Sequence, residues 1–336
     1  MIYWNPLYKV SMSREAIHFA DERGTFSLVL PVECRDCCEI LWALPRGLNW
    51  SEFNRATESE QKMLAILAKK RLIIDLPAHP SVCVAERSIG HYATFHPAPT
   101  AALKKLRSAT VCILGLGGVG SVVLQHLVAM GIGRYFLVDS DRVEASNLNR
   151  QLIYSPIDIG RLKTEAAKAF VHSRIPGSQV SSAFVRIQSP QCLEKLPVSA
   201  CDFVVHCLDT PRDTIDSIVY GFGSDRKIPV ITSGVGVHFG HWGPLIVPGS
   251  TISYENWKRL YTQRPRRHPQ EAFTQPTPWS FGPTNTLIAA SVARDVAEWL
   301  GGRHDVASLG ARLVQRFSDN LIVPYGSVAM MSEVLP

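Results

Sequence analysis

The stretch that decides the fold occupies residues 111–161 and reads VCILGLGGVGSVVLQHLVAMGIGRYFLVDSDRVEASNLNRQLIYSPIDIGR. Its apolar start, 111–114, predicts a buried strand, and the apolar run 121–130 predicts a helix. A second strand, 134–138, ends at Asp139. Glycines in G-x-G-x-x-G spacing separate the first strand from the helix, and they are Gly115, Gly117 and Gly120. This is a βαβ unit, whose helix N-terminus offers N–H donors and positive potential to a phosphate group.

Strands and helices alternate after this unit. Further strands are predicted at 180–187, 202–208, 229–235 and 239–247, further helices at 163–173, 210–222 and 284–300, and a terminal hairpin at 311–317 and 321–323. Such alternation indicates an α/β fold with a doubly wound, mainly parallel, Rossmann-like sheet. Ligands of these sheets bind at the carboxyl ends of the strands, where Gly115, Asp139 and Asp209 fall.

The residues before this sheet predict a second, smaller domain. Residues 1–85 contain two strands, three short helices and a last strand, which predicts a winged-helix-like α+β domain. Its third helix is only weakly basic, so DNA binding is less expected than addition of an extended peptide to an exposed strand edge. We therefore divide the chain into 1–85 and 86–336, with a linker rich in Pro and His at 78–99. Within the second domain, 248–283 predicts an irregular crossover loop.

Composition excludes several classes of protein. The 336 residues are 46% hydrophobic and 19% charged, and no apolar run approaches the roughly 20 residues that span a bilayer. The N-terminus lacks the layout of a signal peptide, so we expect a cytoplasmic protein without a membrane partner. A net charge of +6 is mild and does not suggest nucleic acid. Basic residues cluster at Arg264, Arg266 and Arg267, which suits either an anionic substrate or a solvated loop.

Cysteine usage argues against a structural zinc site. Of the eight cysteines, Cys112, Cys201 and Cys207 lie in or beside apolar strands and are expected to be reduced core residues. Cys34 and Cys37 have C-x-x-C spacing, but the chain has no second pair to complete a zinc site. We therefore expect no structural zinc.

A polar segment after the second strand points to a nucleotide triphosphate. The glycine pattern and Asp139 alone also suit an NAD-dependent dehydrogenase. This chain continues, however, with D-x-D-x-V-x-x-SNLNRQ from Asp139 to Gln151, and then with G-x-x-K ending at Lys163. Arg150 and Lys163 can neutralise a triphosphate as it develops charge, which a dinucleotide needs less.

These motifs resemble the ThiF/MoeB/HesA adenylating enzymes, which are related to the ubiquitin-activating enzymes. The resemblance covers roughly residues 85–325 and rests on GLGGVG, SNLNRQ, G-x-x-K and the later LDT. It implies ATP and Mg²⁺ as cofactors, and attack on the α-phosphate by a peptide carboxylate. It also implies a homodimer, because relatives supply an arginine from the partner subunit.

The resemblance assigns roles by position. The implied nucleotide-binding residues are Gly115, Gly117, Gly118, Gly120, Asp139, Asp141, Asn147, Arg150, Gln151 and Lys163. Gly117 and Gly118 would lie against the phosphates, and Asp139 would hold the ribose. The implied catalytic residues are Arg150, Lys163 and Asp209, and Asp209 would bind Mg²⁺ and align the reacting carboxylate. Mg²⁺, Arg and Lys reduce the repulsion between a carboxylate and a phosphate.

The chain departs from the family in informative ways. The crossover loop has no cysteine for passing on an acyl group, and the usual R-Y-x-R-Q segment is replaced near 91–95. Arg87 or the 264–267 cluster would then have to supply the missing arginine. With the N-terminal domain, these departures resemble the branch that modifies ribosomally made peptides, such as the microcin C and pantocin A maturation enzymes. The implied function is activation of a carboxylate of a precursor peptide, whose leader binds 1–85, followed by intramolecular acyl transfer or cyclisation in peptide antibiotic biosynthesis. The alternative is adenylation of the C-terminus of a ubiquitin-like sulfur carrier.

Overall fold

The structure is a computed structural model that describes residues 1–5, 7–13, 15–30, 38–76, 85–212, 214–262 and 279–325. The chain forms two compact units. The first comprises Met1–Lys105 with Gly301–Arg303, and the second comprises Leu106–Leu300 with His304–Pro336. The units divide after Lys105, later than the division at 85/86 that the sequence predicts.

The first unit mixes strands and short helices. In chain order its elements are β1 (Ile2–Trp4), β2 (Lys9–Met12), β3 (Ala16–Asp21), β4 (Gly24–Val29), α1 (Cys38–Ala43), α2 (Trp50–Asn54), α3 (Glu58–Lys69), β5 (Ile73–Asp75), α4 (Ile89–Ala93) and α5 (Pro99–Ser108). Strands β2, β3 and β4 form an antiparallel sheet, and β1 pairs with β5. Both α2 and α3 begin with capping boxes, Asn49 with Glu52 and Thr57 with Glu60.

The core of the first unit lies between its strands and helices. Phe19 of β3 is buried and stacks on Phe26 of β4, with ring centroids 5.1 Å apart. One face of α3 supplies Met63, Leu64 and Leu67, as its apolar spacing predicts. The unit therefore has an apolar core of its own.

The second unit is built on one large sheet. Its elements are β6 (Thr110–Leu114), α6 (Gly120–Ala129), β7 (Arg134–Asp139), α7 (Lys163–Arg174), β8 (Gln179–Phe184), α8 (Pro190–Glu194), β9 (Phe203–His206), α9 (Ile215–Arg226), β10 (Val230–Val235), β11 (Phe239–Trp242), α10 (Tyr254–Thr262), α11 (Gly282–Leu300), β12 (Leu313–Arg316) and β13 (Ile322–Pro324). The strand order is β13-β12-β11-β10-β9-β6-β7-β8. The run from β10 to β8 is parallel, and β11, β12 and β13 extend it antiparallel.

The register of this sheet brings the carboxyl ends of β6, β7 and β9, where a ligand would bind, to the same level. Leu114 of β6 is opposite Val138 of β7 and His206 of β9, so the three strands end together. All three are buried, as the apolar runs predict. The predicted α/β fold with a mainly parallel sheet is confirmed, and so is the terminal hairpin.

Several elements differ from the prediction. Strands β1 and β2 were not predicted, and α4 lies within the predicted linker. Helix α10 lies within the predicted irregular loop, because Tyr254 and Trp257 bury one side of an otherwise polar segment. Helix α9 begins at Ile215 rather than at residue 210, since Pro211 disfavours helical backbone in the residue before it. No helix of the described ranges is long and apolar enough to cross a bilayer.

Candidate functional site

The glycines of the turn between β6 and α6 differ in what a side chain at each position would meet. Gly115 has φ +90°, and a Cβ there would lie 2.8 Å from the carbonyl oxygen of Cys207. A Cβ on Gly120 would overlap the carbonyl oxygen of Gly115, and one on Gly118 would overlap the amide oxygen of Asn285. Gly117 differs, because nothing lies within 4 Å of where its Cβ would be. The open side of the turn is therefore at Gly117.

Asp139 ties the second strand to this turn. Its buried carboxylate accepts the N–H of Leu116 at 2.6 Å and the N–H of Asp141 at 2.7 Å. Burial raises the pKa of Asp139, and the Lys163 charge and these two N–H bonds oppose the rise. The carboxylate thus shapes the glycine turn directly, and it retains lone pairs for the predicted ribose contact.

Lys163 is a buried cation in an unusual place. It is the first residue of α7, where the helix dipole disfavours positive charge. Its side chain is only 7% exposed, and its Nζ lies 2.8 Å from a carboxylate oxygen of Asp141. Asp141, predicted to bind nucleotide, is thus the ion-pair partner of Lys163. A buried cation at a helix N-terminus attracts anions, as the predicted phosphate contact requires.

The SNLNRQ segment folds into a turn beside the glycines. The Asn147 side chain accepts the N–H of Glu144 at 3.1 Å, which caps the turn. The Arg150 guanidinium donates to the carbonyl oxygen of Ser146 at 2.8 Å. Its Cδ lies 3.3 Å from where a Cβ on Gly118 would be. The structure therefore brings Arg150 to the glycine turn, as the sequence predicts.

Gln151 in this segment has a buried side-chain oxygen to which no described residue donates a hydrogen bond. Its side chain is 2% exposed, and its Oε1 has no hydrogen-bond partner within the described ranges. A buried acceptor without a donor is costly, and a ligand hydroxyl or amino group would satisfy it. This fits the predicted role of Gln151 in nucleotide binding.

Asn285, near the start of α11, is a site residue that the sequence analysis missed. It is 3% exposed, and its Nδ2 donates to Ser280 Oγ at 2.9 Å and to the carbonyl oxygen of Phe281 at 2.7 Å. Its Oδ1 faces Gly118. The only signal in the sequence is a polar residue at the start of an apolar helix.

Asp209 differs from the other predicted carboxylates in that its side chain has no hydrogen-bond partner within the described ranges. It is exposed and follows β9 by three residues. Those ranges also contain no group of three or more His, Cys, Asp or Glu side chains able to hold a metal ion. Mg²⁺ commonly takes one or two carboxylates together with substrate phosphates, so a single free carboxylate fits this metal.

These residues suit a nucleotide triphosphate. The open side of Gly117, the N-terminus of α6 and the cations Arg150 and Lys163 match an anion rich in acceptors. Five residues discussed in the sequence analysis lie outside the described ranges: Cys34, Cys37, Arg264, Arg266 and Arg267. Arg87 lies exposed in the first unit.

Curated relatives match part of this chain. The adenylyltransferase and sulfurtransferase UBA4 of Kluyveromyces lactis is 34% identical over 131 residues, which are 38% of this chain and 28% of the relative. The sulfur carrier protein adenylyltransferase of Thermus thermophilus is 42% identical over 93 residues, which are 28% of this chain and 34% of the relative. The matches thus span about a third of these relatives. Their names agree with the predicted class of adenylating enzyme.

Solved structures match almost the whole chain. MccB of Escherichia coli, crystallised with ATP, has a TM-score of 0.72 at 24% identity, covering 96% of both chains. The microcin C7 biosynthetic enzyme MccB in complex with N-formylated MccA has a TM-score of 0.73 at 23% identity, with the same coverage. At this identity the likeness shows a shared fold.

A model of the ThiF family matches residues 90–320, which is more than half of the chain. The chain therefore belongs to the ThiF family, as its glycine turn and its SNLNRQ segment predict.

Proposed function

We propose that this chain uses ATP to activate a carboxylate of a ribosomally made precursor peptide, as a step of peptide antibiotic biosynthesis. The carboxylate is a Glu or Asp side chain or the peptide C-terminus. Intramolecular acyl transfer or cyclisation follows, without an enzyme cysteine. The observation that carries the peptide part of this proposal is the free edge of β4 in the first unit.

Strand β4 pairs with β3 and with no other strand of the described ranges. The N–H of Leu30 donates to the carbonyl oxygen of Glu15, and hydrogen-bonded pairs alternate along an antiparallel ladder. The N–H groups of Thr25, Ser27 and Val29 therefore point away from β3. Most β4 side chains are exposed, Val29 at 69%. An extended peptide can add to such an edge through main-chain hydrogen bonds.

The likeness to MccB supports the same proposal. It extends over 96% of this chain and so includes the first unit, and MccB was crystallised with MccA. We carry peptide binding over to this chain, with the leader bound by the first unit. The homodimer and the cytoplasmic location expected from the sequence belong to the same proposal.

Different residues of the second unit would bind Mg²⁺ and different parts of ATP. The carboxylate oxygen would attack a phosphorus atom of ATP, with loss of pyrophosphate from the α-phosphorus or of ADP from the γ-phosphorus. The internal nucleophile of the peptide would then attack the activated carbonyl carbon and release AMP or phosphate, respectively. Lys163 and Arg150 hold positive charge beside the glycine turn, where phosphate oxygens gain charge. Asp139 fixes the turn and accepts from the ribose. Asp209 would hold Mg²⁺ and would help to align the incoming carboxylate. The charges of Mg²⁺, Arg150 and Lys163 would offset the repulsion between the carboxylate and the phosphate.

A second function is favoured by the curated relatives. Both relatives described above are named adenylyltransferases, one for a sulfur carrier protein. The same residues could activate the C-terminus of a ubiquitin-like sulfur carrier. Because the first unit presents an open strand edge, we favour the peptide.

The test compares both acceptors. Peptides encoded by short reading frames that flank the gene, and a ubiquitin-like carrier ending in Gly-Gly, are each incubated with the chain, ATP and Mg²⁺. We expect release of AMP or ADP and a peptide mass change with one of the peptides. Nucleotide cleavage with the carrier alone would establish the second function. No cleavage with either acceptor would contradict both.

A further inference from the structure

His206, the last residue of β9, is fully buried one step before the loop that carries Asp209. Its Nδ1 lies 3.3 Å from the backbone N of Leu208, and its Nε2 lies 2.9 Å from a carboxylate oxygen of Asp216. An N–H group can only donate, so Nδ1 is the acceptor and Nε2 carries the proton. The ring thus links the loop to Asp216 by one hydrogen bond on each side.

Asp216 is a fixed anchor for this ring. It lies in the first turn of α9, where a carboxylate is favoured. It also accepts from the hydroxyl of Tyr254 at 2.9 Å and from Arg312 at 3.4 Å. Burial would raise the pKa of Asp216, but the His206 bond and the Arg312 charge hold it well below its usual range.

Arg312 is fixed in turn. Its Nε donates to the carbonyl oxygen of Gly243 at 3.1 Å, and its guanidinium lies 4.8 Å from the ring centroid of Trp257. The anchor thus joins α9 and α10 to Arg312, the residue before β12. A side chain held this way can set the position of whatever bonds to it.

Within the described ranges, the backbone N–H of Leu208 bonds to His206, and the Leu208 side chain packs against the core of the second unit. The preceding residue is held by the sheet, because Cys207 donates its N–H to Leu114 at 2.8 Å. Two residues beyond Cys207, Asp209 is exposed. A shift of the Leu208 backbone would therefore also move the adjoining backbone that carries Asp209.

We propose that His206 is a positioning residue, which sets the carboxylate of Asp209 by bonding the N–H of Leu208 and resting on Asp216. This inference depends on the role of Asp209 given under Proposed function. The inference concerns the hydrogen bond from Leu208 to His206, whereas the proposed contact with the metal ion is made by Asp209.

Two substitutions separate the two bonds of the ring. His206→Asn keeps an acceptor near the position of Nδ1 and loses the donor to Asp216. His206→Gln keeps a donor near the position of Nε2 and loses the acceptor for Leu208. The probe is Mn²⁺ with ATP, titrated by electron paramagnetic resonance on the full chain, beside thermal unfolding. His172→Gln, on the exposed end of α7, is the matched control.

We expect His206→Gln to weaken ATP-dependent Mn²⁺ binding about tenfold or more, as the loss of a supporting bond does at metal sites. His206→Asn should weaken it less than about threefold, yet have the lower melting temperature, because a charged acceptor loses its donor. A purely structural role would make metal affinity follow melting temperature, and that result would overturn the inference.

Asp209→Asn separates this inference from the proposed function. If Asp209→Asn loses Mn²⁺ binding while His206→Gln keeps it, the positioning role is wrong and the role of Asp209 stands. If Asp209→Asn binds normally, the role of Asp209 is wrong and this inference falls with it. A nitrogen-15 spectrum of the unaltered chain checks the link without a variant. A proton on Nδ1 of His206 would contradict it.

Discussion

At the scale of single residues, adjacent glycines of one turn serve opposite purposes. Gly117 faces open space, whereas Gly118 is packed against Asn285 and the stem of Arg150. The resemblance to the ThiF/MoeB/HesA enzymes predicts that both glycines lie against phosphate. The structure shows open space beside Gly117, where the phosphate contact stays a prediction. At Gly118 it shows a packing requirement, which no local pattern reveals because Asn285 is distant in sequence.

Alanine at each position should separate these purposes. Gly118→Ala should destabilise the fold by about 1–3 kcal/mol, since its Cβ overlaps Asn285. Gly117→Ala should fold normally and weaken ATP binding about tenfold or more, because its Cβ occupies the open side. Thermal unfolding and ATP titration calorimetry measure the two effects. Adding Asn285→Ala should restore the stability of Gly118→Ala. If it does not, the overlap is not the cause.

His241 of β11 should make the stability of the fold depend on pH. Burial, aided by the Arg312 charge, lowers the pKa of His241 from 6.5 to about 3. Between these values the unfolded chain binds a proton that the folded chain does not. The stability due to neutral His241 is therefore complete above pH 6.5 and is lost as the pH falls toward 3.

Replacing His241 should flatten this dependence. The unaltered chain should lose up to about 1.4 kcal/mol of unfolding free energy per pH unit below pH 6.5 through this group. His241→Gln should lose correspondingly less. Urea unfolding at pH 7.5 and pH 5 measures the difference. His238→Gln, on the exposed neighbouring loop, should keep the full dependence. Equal slopes for all three proteins would show that His241 is protonated in the fold.

At the scale of elements, the central sheet was predictable and the short elements were not. Strands β6, β7, β9 and β10 are continuous apolar runs, so sequence pattern alone finds them. Helix α10 has a polar sequence, and its burial of Trp257 depends on packing with distant residues. The candidate site was also only partly predictable from the sequence. Motif spacing identifies Asp139, Arg150 and Lys163. Asn285 and His206 are involved through contacts between residues that the fold brings together, which no local pattern indicates.

Two substitutions at Ser27 can test whether the peptide binds to the free edge of β4. Ser27 points its N–H away from β3, and its hydroxyl bonds His18 at 2.7 Å. Ser27→Pro removes the edge donor, and edge strands tolerate proline. Ser27→Ala removes only the hydroxyl. For the peptide found in the acceptor assay, we expect fluorescence anisotropy to show about fivefold or more weaker binding with Ser27→Pro and unchanged binding with Ser27→Ala. Equal affinities would place the peptide elsewhere.

At the scale of the whole molecule, the two units have separate cores. The core of the first unit includes residues of its strands and of α1 and α3, such as Ile17, Leu41 and Met63. The core of the second includes Cys112, Phe136 and Val204 of the parallel sheet. Among the described residues, the members of each of these two clusters come from one unit, so we expect a local change in one cluster to leave the fold of the other unit intact.

Peptide recognition and ATP chemistry should therefore fail independently. Lys163→Met keeps the apolar stem of a buried lysine and removes its charge, so ATP cleavage should fall about a hundredfold or more. Peptide affinity should stay within about twofold, since β4 is unaltered. Ser27→Pro should do the reverse, weakening peptide binding while ATP affinity without peptide is retained. Anisotropy, calorimetry and nucleotide release on both variants measure all four quantities. If Ser27→Pro lowered ATP affinity as much as peptide affinity, both ligands would share one site, and assigning the peptide to the first unit would be wrong.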